Sequence, residues 1–225
     1  MELLSIKSIL MMTPILLIAL PVHEFAHGWV AYRMGDPTAK YAGRLTLNPF
    51  KHLDLMGVLM MYLAGVGWAK PVPVNSSYFR DRRKGIILVS MAGPLSNILV
   101  SFITFFLWGI LLKLISIGTI PIESDKAVYI VETIIEFFQT LIIVNISLAV
   151  FNLIPVPPLD GSRLISAFIP EESYYRFARY EQYIGLAFLL LVVVLPSNLF
   201  SEFIYFFANP IFNSMARVVQ LVLRL

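Results

Sequence analysis

The sequence predicts an all-α polytopic membrane protein of about five to six transmembrane helices, with a small membrane-associated β element and a re-entrant segment. Three observations predict it. The 225 residues are 58% hydrophobic, with mean hydropathy +0.80, whereas soluble domains are about 45–50% apolar. Apolar runs recur at about 4–32, 86–112, 127–154, 182–196 and 199–222, and the longer ones suit a hydrocarbon core of about 30 Å. Polar, basic or proline-rich stretches separate them. A single membrane-embedded domain, 1–225, is expected, with a core at 4–168 and accessory C-terminal helices at 175–225. A core of that size leaves no room for an added soluble domain of about 100 residues.

Each element has its own signal. The first run contains Lys7 and then apolar residues, like a secretory leader. It continues without a break to Tyr32 and carries the polar cluster described below, so it is read as a permanent span. Pro14 and Pro21 lie inside it, and proline deletes a helical hydrogen bond. Residues 33–85 are mixed. Within them 53–67 is apolar and rich in Met and Gly, too short to span and suited to a re-entrant or interfacial segment. Gly67-Trp68-Ala69-Lys70-Pro71-Val72-Pro73-Val74 alternates proline with β-branched residues, which favours extended chain. Such a stretch reads equally as an edge strand, where proline is tolerated, or as a rigid loop. The second span holds a lone amide, Asn97, after Gly93-Pro94. The third ends at Asn152-Leu153-Ile154-Pro155-Val156-Pro157-Pro158-Leu159-Asp160-Gly161, where the prolines stop the helix. The last two spans read as packing or lipid contact, and Tyr174, Tyr175, Tyr180 and Tyr183 as an interfacial belt.

The chemistry is concentrated in His23-Glu24-Phe25-Ala26-His27. On a helix, positions 23 and 27 share one face. Two imidazoles there reach one Zn²⁺, and Glu24 stands close enough to act on a water at the metal. Buried histidines satisfied by backbone carbonyls are the bland alternative. Polar groups at this depth are costly, and such residues usually face a protein interior and work. The chain has no cysteine, so His, Asp and Glu are the available ligands for a metal. Asp160 reads either as the N-cap of a following helix or as the third ligand. Two histidines needing a third protein ligand favour the second. Asn97 reads either as a bridge between helices or as a group that binds substrate backbone.

Charge sets an orientation. With the N-terminus outside, fourteen of the seventeen Lys and Arg residues fall on the cytoplasmic side, as the positive-inside rule requires. His27 and Asp160 then both lie near the inner face. A multi-pass protein of the cell membrane is expected, with no nucleic-acid partner.

HEFAH in a membrane helix, Gly-Pro-x-x-Asn at 93–97 and Asn-x-x-Pro-x-Pro-x-x-Asp-Gly at 152–161 resemble the site-2 protease family of intramembrane zinc metalloproteases. Leu47-Asn48-Pro49-x-x-His52-x-Asp54 and Gly67-Trp68-Ala69-Lys70-Pro71 resemble its compact bacterial and archaeal branch, without a PDZ or CBS domain. The resemblance covers about 20–163. It implies regulated intramembrane proteolysis, with one Zn²⁺ per chain on His23, His27 and Asp160, and Glu24 as general acid and base. Its substrates would be single-span membrane proteins trimmed beforehand. Asn97, Asn152, Gly67, Trp68, Ala69, Lys70 and Pro71 are expected to bind that substrate. His52 reads as a loop histidine or a further site residue. Two rival readings are a membrane metal transporter and a catalytically silent relative that only binds membrane proteins.

Overall fold

A computed structural model describes residues 5–64, 67–169, 179–195 and 197–224. Its described residues are helical apart from short connections. The elements are α1 (Ile6–Met34), α2 (Thr38–Tyr41), α3 (Leu55–Ala64), α4 (Arg82–Ser116), α5 (Asp125–Asn152), α6 (Asp160–Ser166), α7 (Glu181–Val194) and α8 (Ser197–Leu223).

Local sequence starts and stops these helices. Ser5, Asp81 and Ser124 each accept a backbone N–H from the first turn of the helix they precede, satisfying donors that have no partner within the helix. The Asp81 cap draws Arg82-Arg83-Lys84 into the first turn of α4, four residues earlier than the apolar run alone suggested. At the end of α1, Gly35 adopts φ +112° and its N–H returns to Ala31 and Tyr32 carbonyls. A side chain there is strained, and its Cβ would also lie 2.8 Å from the Tyr78 carbonyl oxygen.

Three helices, α1, α4 and α5, are long and apolar enough to cross a membrane. A fourth span results if α7 and Leu199–Leu223, bent by 102° to each other, are counted together. The expectation of five to six spans is therefore met by three or four among the described residues. The difference lies in the C-terminal region: α7 has 14 residues, about 21 Å of helix, which falls short of the hydrocarbon core. Of the tyrosines expected to form an interfacial belt, Tyr180 and Tyr183 are exposed at the start of α7, while Tyr174 and Tyr175 lie outside the described residues. The expected re-entrant segment contains the 10-residue helix α3, about 15 Å long and half that thickness. The expected β element reduces to one isolated antiparallel bridge, Leu53 with Ala69. Prolines 71 and 73 lack the N–H groups that would extend a ladder.

α1, α4 and α5 pack together, with α8 closing one side. Phe105, Ile142, Ile146 and Val150 meet Ile204, Ala208, Met215 and Val219 in one cluster. The Ser101 hydroxyl donates to the Ile142 carbonyl at 2.7 Å and ties α4 to α5. On the opposite face of α4, Leu95, Leu99, Ile103 and Leu107 are 50–58% exposed. Their four-residue spacing makes one apolar stripe. In water such a stripe is a liability; against lipid tails it is the required surface.

Candidate metal centre

The centre is assembled from four helices. His23 and His27 come from α1 and both are buried. Asp160 is the first residue of α6 and is buried too. Its side chain does not cap α6, whose N-cap is Leu159 with no side-chain bond. The carboxylate turns toward the histidines instead. His23 Nε2 lies 3.2 Å from Asp160 Oδ2, His27 Nε2 lies 3.0 Å from the same oxygen, and the two Nε2 atoms are 3.0 Å apart.

The other faces of the rings fix what those atoms are. His27 Nδ1 is 2.7 Å from the Val89 carbonyl oxygen. A carbonyl only accepts, so Nδ1 carries the proton. His23 Nδ1 is 2.6 Å from Asn97 Oδ1. The Asn97 amide nitrogen donates to the Ala19 carbonyl at 3.2 Å and to Asn145 Oδ1 at 2.8 Å. The Ala19 carbonyl settles which end of the amide is nitrogen, so the oxygen faces His23 and His23 Nδ1 is also the donor. In a neutral imidazole the remaining nitrogen is a bare acceptor.

Three acceptors, two imidazole nitrogens and a carboxylate oxygen, thus converge in a buried place. Asp160 Oδ2 has no hydrogen-bond partner. Lone pairs converging without a donor repel one another and call for a cation. The size fits as well. Ligands about 2.0–2.2 Å from a tetrahedral Zn²⁺ stand about 3.3–3.6 Å apart, close to the 3.0–3.2 Å edges of this triangle. Two nitrogens and one carboxylate oxygen are a catalytic rather than a closed structural set. This is the one such group of His, Asp and Glu among the described residues.

Backbone without side chains makes the convergence possible. A Cβ on Gly93 would come within 2.4 Å of His27 Nε2 and 2.6 Å of His23 Nε2. A Cβ on Gly161 would come within 2.3 Å of the Leu153 carbonyl oxygen. Glycine at 161 therefore lets α6 start against the end of α5, which swings Asp160 into place.

A cavity of about 310 Å³ opens beside the triangle. Glu24, Gly67, Trp68, Ala69, Pro71 and Asn152 line it together with His23, His27 and Asp160. Glu24 Oε2 accepts the Val72 N–H at 2.8 Å. Lys70 is not in the lining: its N–H donates to the His52 carbonyl and its carbonyl accepts from Arg44. Asn97 lies behind His23, fully buried, and holds the imidazole and Asn145 rather than facing the cavity. Asn152 donates to the Leu148 carbonyl one turn earlier. His52 is fully buried, contacts the Thr46 carbonyl through Nε2 at 2.7 Å, and supports the extended segment from behind. Sequence reasoning missed Asn145, the Val89 carbonyl and Arg44. Asn145 carried the same signal as Asn97, a lone amide in an apolar run. A backbone carbonyl has no sequence signal.

A buried cluster of two imidazoles and a carboxylate between apolar helices, open to a cavity that the Glu24 carboxylate also lines, is the arrangement of a membrane-embedded metallohydrolase. Residues 11–192 match peptidase family M50, and the chain belongs to that family. It is 41% identical to the protein named "Putative zinc metalloprotease YwhC" of Bacillus subtilis, over 84% of this chain and 82% of the relative. Rip2 of Mycolicibacterium smegmatis carries the same description and is 29% identical over 85% of this chain and 70% of its own length. "Zinc metalloprotease MJ0392" of Methanocaldococcus jannaschii is 28% identical over 87% of this chain and 47% of its own length. No solved structure matches the chain. The chain is thus a zinc-dependent metalloendopeptidase of the site-2 protease type, a multi-pass protein with apolar helices.

Proposed function

We propose that this protease binds one Zn²⁺ per chain through His23 Nε2, His27 Nε2 and Asp160 Oδ2, and cuts single-span membrane proteins within or beside their transmembrane segments. The observation that carries the proposal is the buried triangle of three acceptors with no donor between them. When bound, the zinc supplies Lewis acidity, which polarises a carbonyl and acidifies water at neutral pH. The chain's own residues do the rest. Glu24 takes a proton from the attacking water at a carboxylate oxygen and returns it to the leaving amine nitrogen as the C–N bond breaks. Asn97 and the Val89 carbonyl hold the imidazoles in the tautomer that presents Nε2.

A transmembrane helix presents no free backbone, so the substrate must be opened locally before it is cut. The extended segment 67–74 lies along the cavity and suits an opened chain, which pairs by main-chain hydrogen bonds. Gly67, Trp68, Ala69, Pro71 and Asn152 are the residues we assign to that contact. Lys70, whose N–H and carbonyl are taken by His52 and Arg44, anchors the segment, and Asn97 supports His23 instead of touching substrate. The positive-inside rule supports an N-terminus outside the cell membrane and a centre near the cytoplasmic side, where water reaches it. We read the whole chain as one domain, with α7 and α8 as accessory helices. The transporter and silent-relative readings are not favoured: the metal ligands form one cluster, and Glu24 is in place.

The test is co-expression of wild-type and Glu24→Gln protein, with comparison of membrane proteomes. Single-span fragments are expected to accumulate in the Glu24→Gln cells alone, while the purified variant keeps its zinc. Cleavage at the wild-type rate by Glu24→Gln protein would remove the acid/base assignment.

A further inference from the structure

We propose that the backbone N–H of Val72 is a positioning group for the Glu24 carboxylate, and that Arg44 acts on catalysis from outside the cavity by fixing the segment that carries that N–H. The proposal rests on the hydrolase reading above and deepens it.

The segment 70–75 is extended, yet one bridge residue pair beside it is the sole strand pairing among the described residues. Side chains hold it instead. Arg44 Nη2 donates to the Lys70 carbonyl at 2.6 Å. At the far end the Asn75 N–H donates to Asp36 Oδ2 at 2.6 Å. Both charged residues are buried, Asp36 completely. Asp36 is itself pinned, because its other oxygen accepts the Thr38 N–H and hydroxyl. Between these anchors Val72 is buried and lies against α1, where a Cβ on Gly28 would meet Val72 Cγ1 at 3.2 Å.

Proline flanks Val72 on both sides. Pro71 and Pro73 have no N–H and a fixed φ. The Val72 amide is therefore the single backbone donor between Lys70 and Val74, and it goes to Glu24 Oε2 at 2.8 Å. A glutamate on a helix has three rotatable bonds, and a charge-assisted bond to a rigid donor selects one arrangement of them. One carboxylate oxygen is fixed, and the other is left to handle the proton. The Val72 N–H is thus spent on Glu24 and is not offered to substrate.

The test compares Val72→Pro with Val72→Ala in the zinc-loaded full chain, cutting a transmembrane reporter in detergent. Both change the valine side chain, and only proline deletes the N–H. Val72→Pro is expected to show kcat about tenfold or more below Val72→Ala, matching the loss of one hydrogen bond to a charged group. KM is expected to stay within about threefold and zinc content to be unchanged, since neither substrate nor metal uses that N–H. Equal kcat in the two variants, or zinc loss confined to Val72→Pro, overturns the proposal. If Val72→Pro does not melt cooperatively, Arg44→Gln decides. It is expected to lower kcat several-fold with zinc retained, and wild-type kcat there overturns the proposal. Glu24→Gln is run in parallel. Full activity in that variant refutes the acid/base role of Glu24 on which this inference rests, whereas an inactive Glu24→Gln beside a Val72→Pro as active as Val72→Ala refutes this inference alone.

Discussion

His23 Nδ1 stands 2.6 Å from Asn97 Oδ1, so an amide on α4 decides which nitrogen of a histidine on α1 is free. The amide is not at liberty to turn, because its nitrogen is held by the Ala19 carbonyl and by Asn145. Partners of this kind commonly contribute about 10–100-fold to metal affinity. Asn97→Leu is expected to weaken zinc binding within that range and to reduce cleavage with it. Asn97→Asp keeps an acceptor at His23 and is expected to lose less. Titration of the loaded protein with a competing chelator checks both.

Asn145 stands a further hydrogen bond away from the metal. Asn145→Leu leaves an Asn97 N–H buried without one of its acceptors, a loss of about 1–3 kcal/mol in stability. The remaining bonds still point Asn97 at His23. Thermal unfolding is expected to move down clearly, and zinc affinity to fall less than in Asn97→Leu. A larger zinc defect in Asn145→Leu than in Asn97→Leu would show that the order of the relay is wrong.

Gly93 faces both imidazoles. Its missing Cβ would lie 2.4–2.6 Å from ring atoms of His23 and His27, closer than any unbonded contact allows. Gly93→Ala is expected to push the rings apart, cost about 1–3 kcal/mol as overpacking, and abolish zinc retention through purification. Metal analysis of the purified variant reads this directly.

Gly161 controls the placement of Asp160 by a different route. Its Cβ would strike the Leu153 and Ile154 carbonyl oxygens at 2.3 and 2.5 Å. Gly161→Ala is expected to lift the start of α6 away from α5 and take Asp160 with it. Zinc content is expected to fall while the α1–α4–α5 bundle persists. Circular dichroism in detergent at wild-type helicity, together with metal loss, is the expected pair of results.

Removing the metal leaves three acceptors facing one another in a buried site. Chelation is expected to abolish cleavage and lower the melting temperature, and added zinc is expected to restore both. A ligand present at about a thousand times its Kd stabilises by about 4 kcal/mol. The shift in melting temperature should therefore rise with free zinc concentration.

The sequence by itself determined three of the membrane helices and the family motif on the first of them. Apolar runs around Leu16, Leu99 and Ile146 had to be membrane helices, because lengths and composition left no other solvent for them. The spacing of His23 and His27 put two imidazoles on one helical face, and Glu24 beside them. These are local facts, set by helix period and transfer energy. Tertiary structure alone decided the rest. Asp160 is 133 positions after His27 in sequence, and Gly161 against Leu153 brings it to 3.0 Å. Only that packing turns the Asp160 side chain toward the histidines and away from the N-terminus of α6. The roles of Asn97, the Val89 carbonyl and the Val72 N–H depend on which backbone groups of other segments point at α1. Backbone donors and acceptors are identical at nearly every position, so no residue type announces them. Where α7 ends and α8 turns away by 102° is likewise a tertiary matter: apolar composition alone does not reveal where a helix breaks or bends.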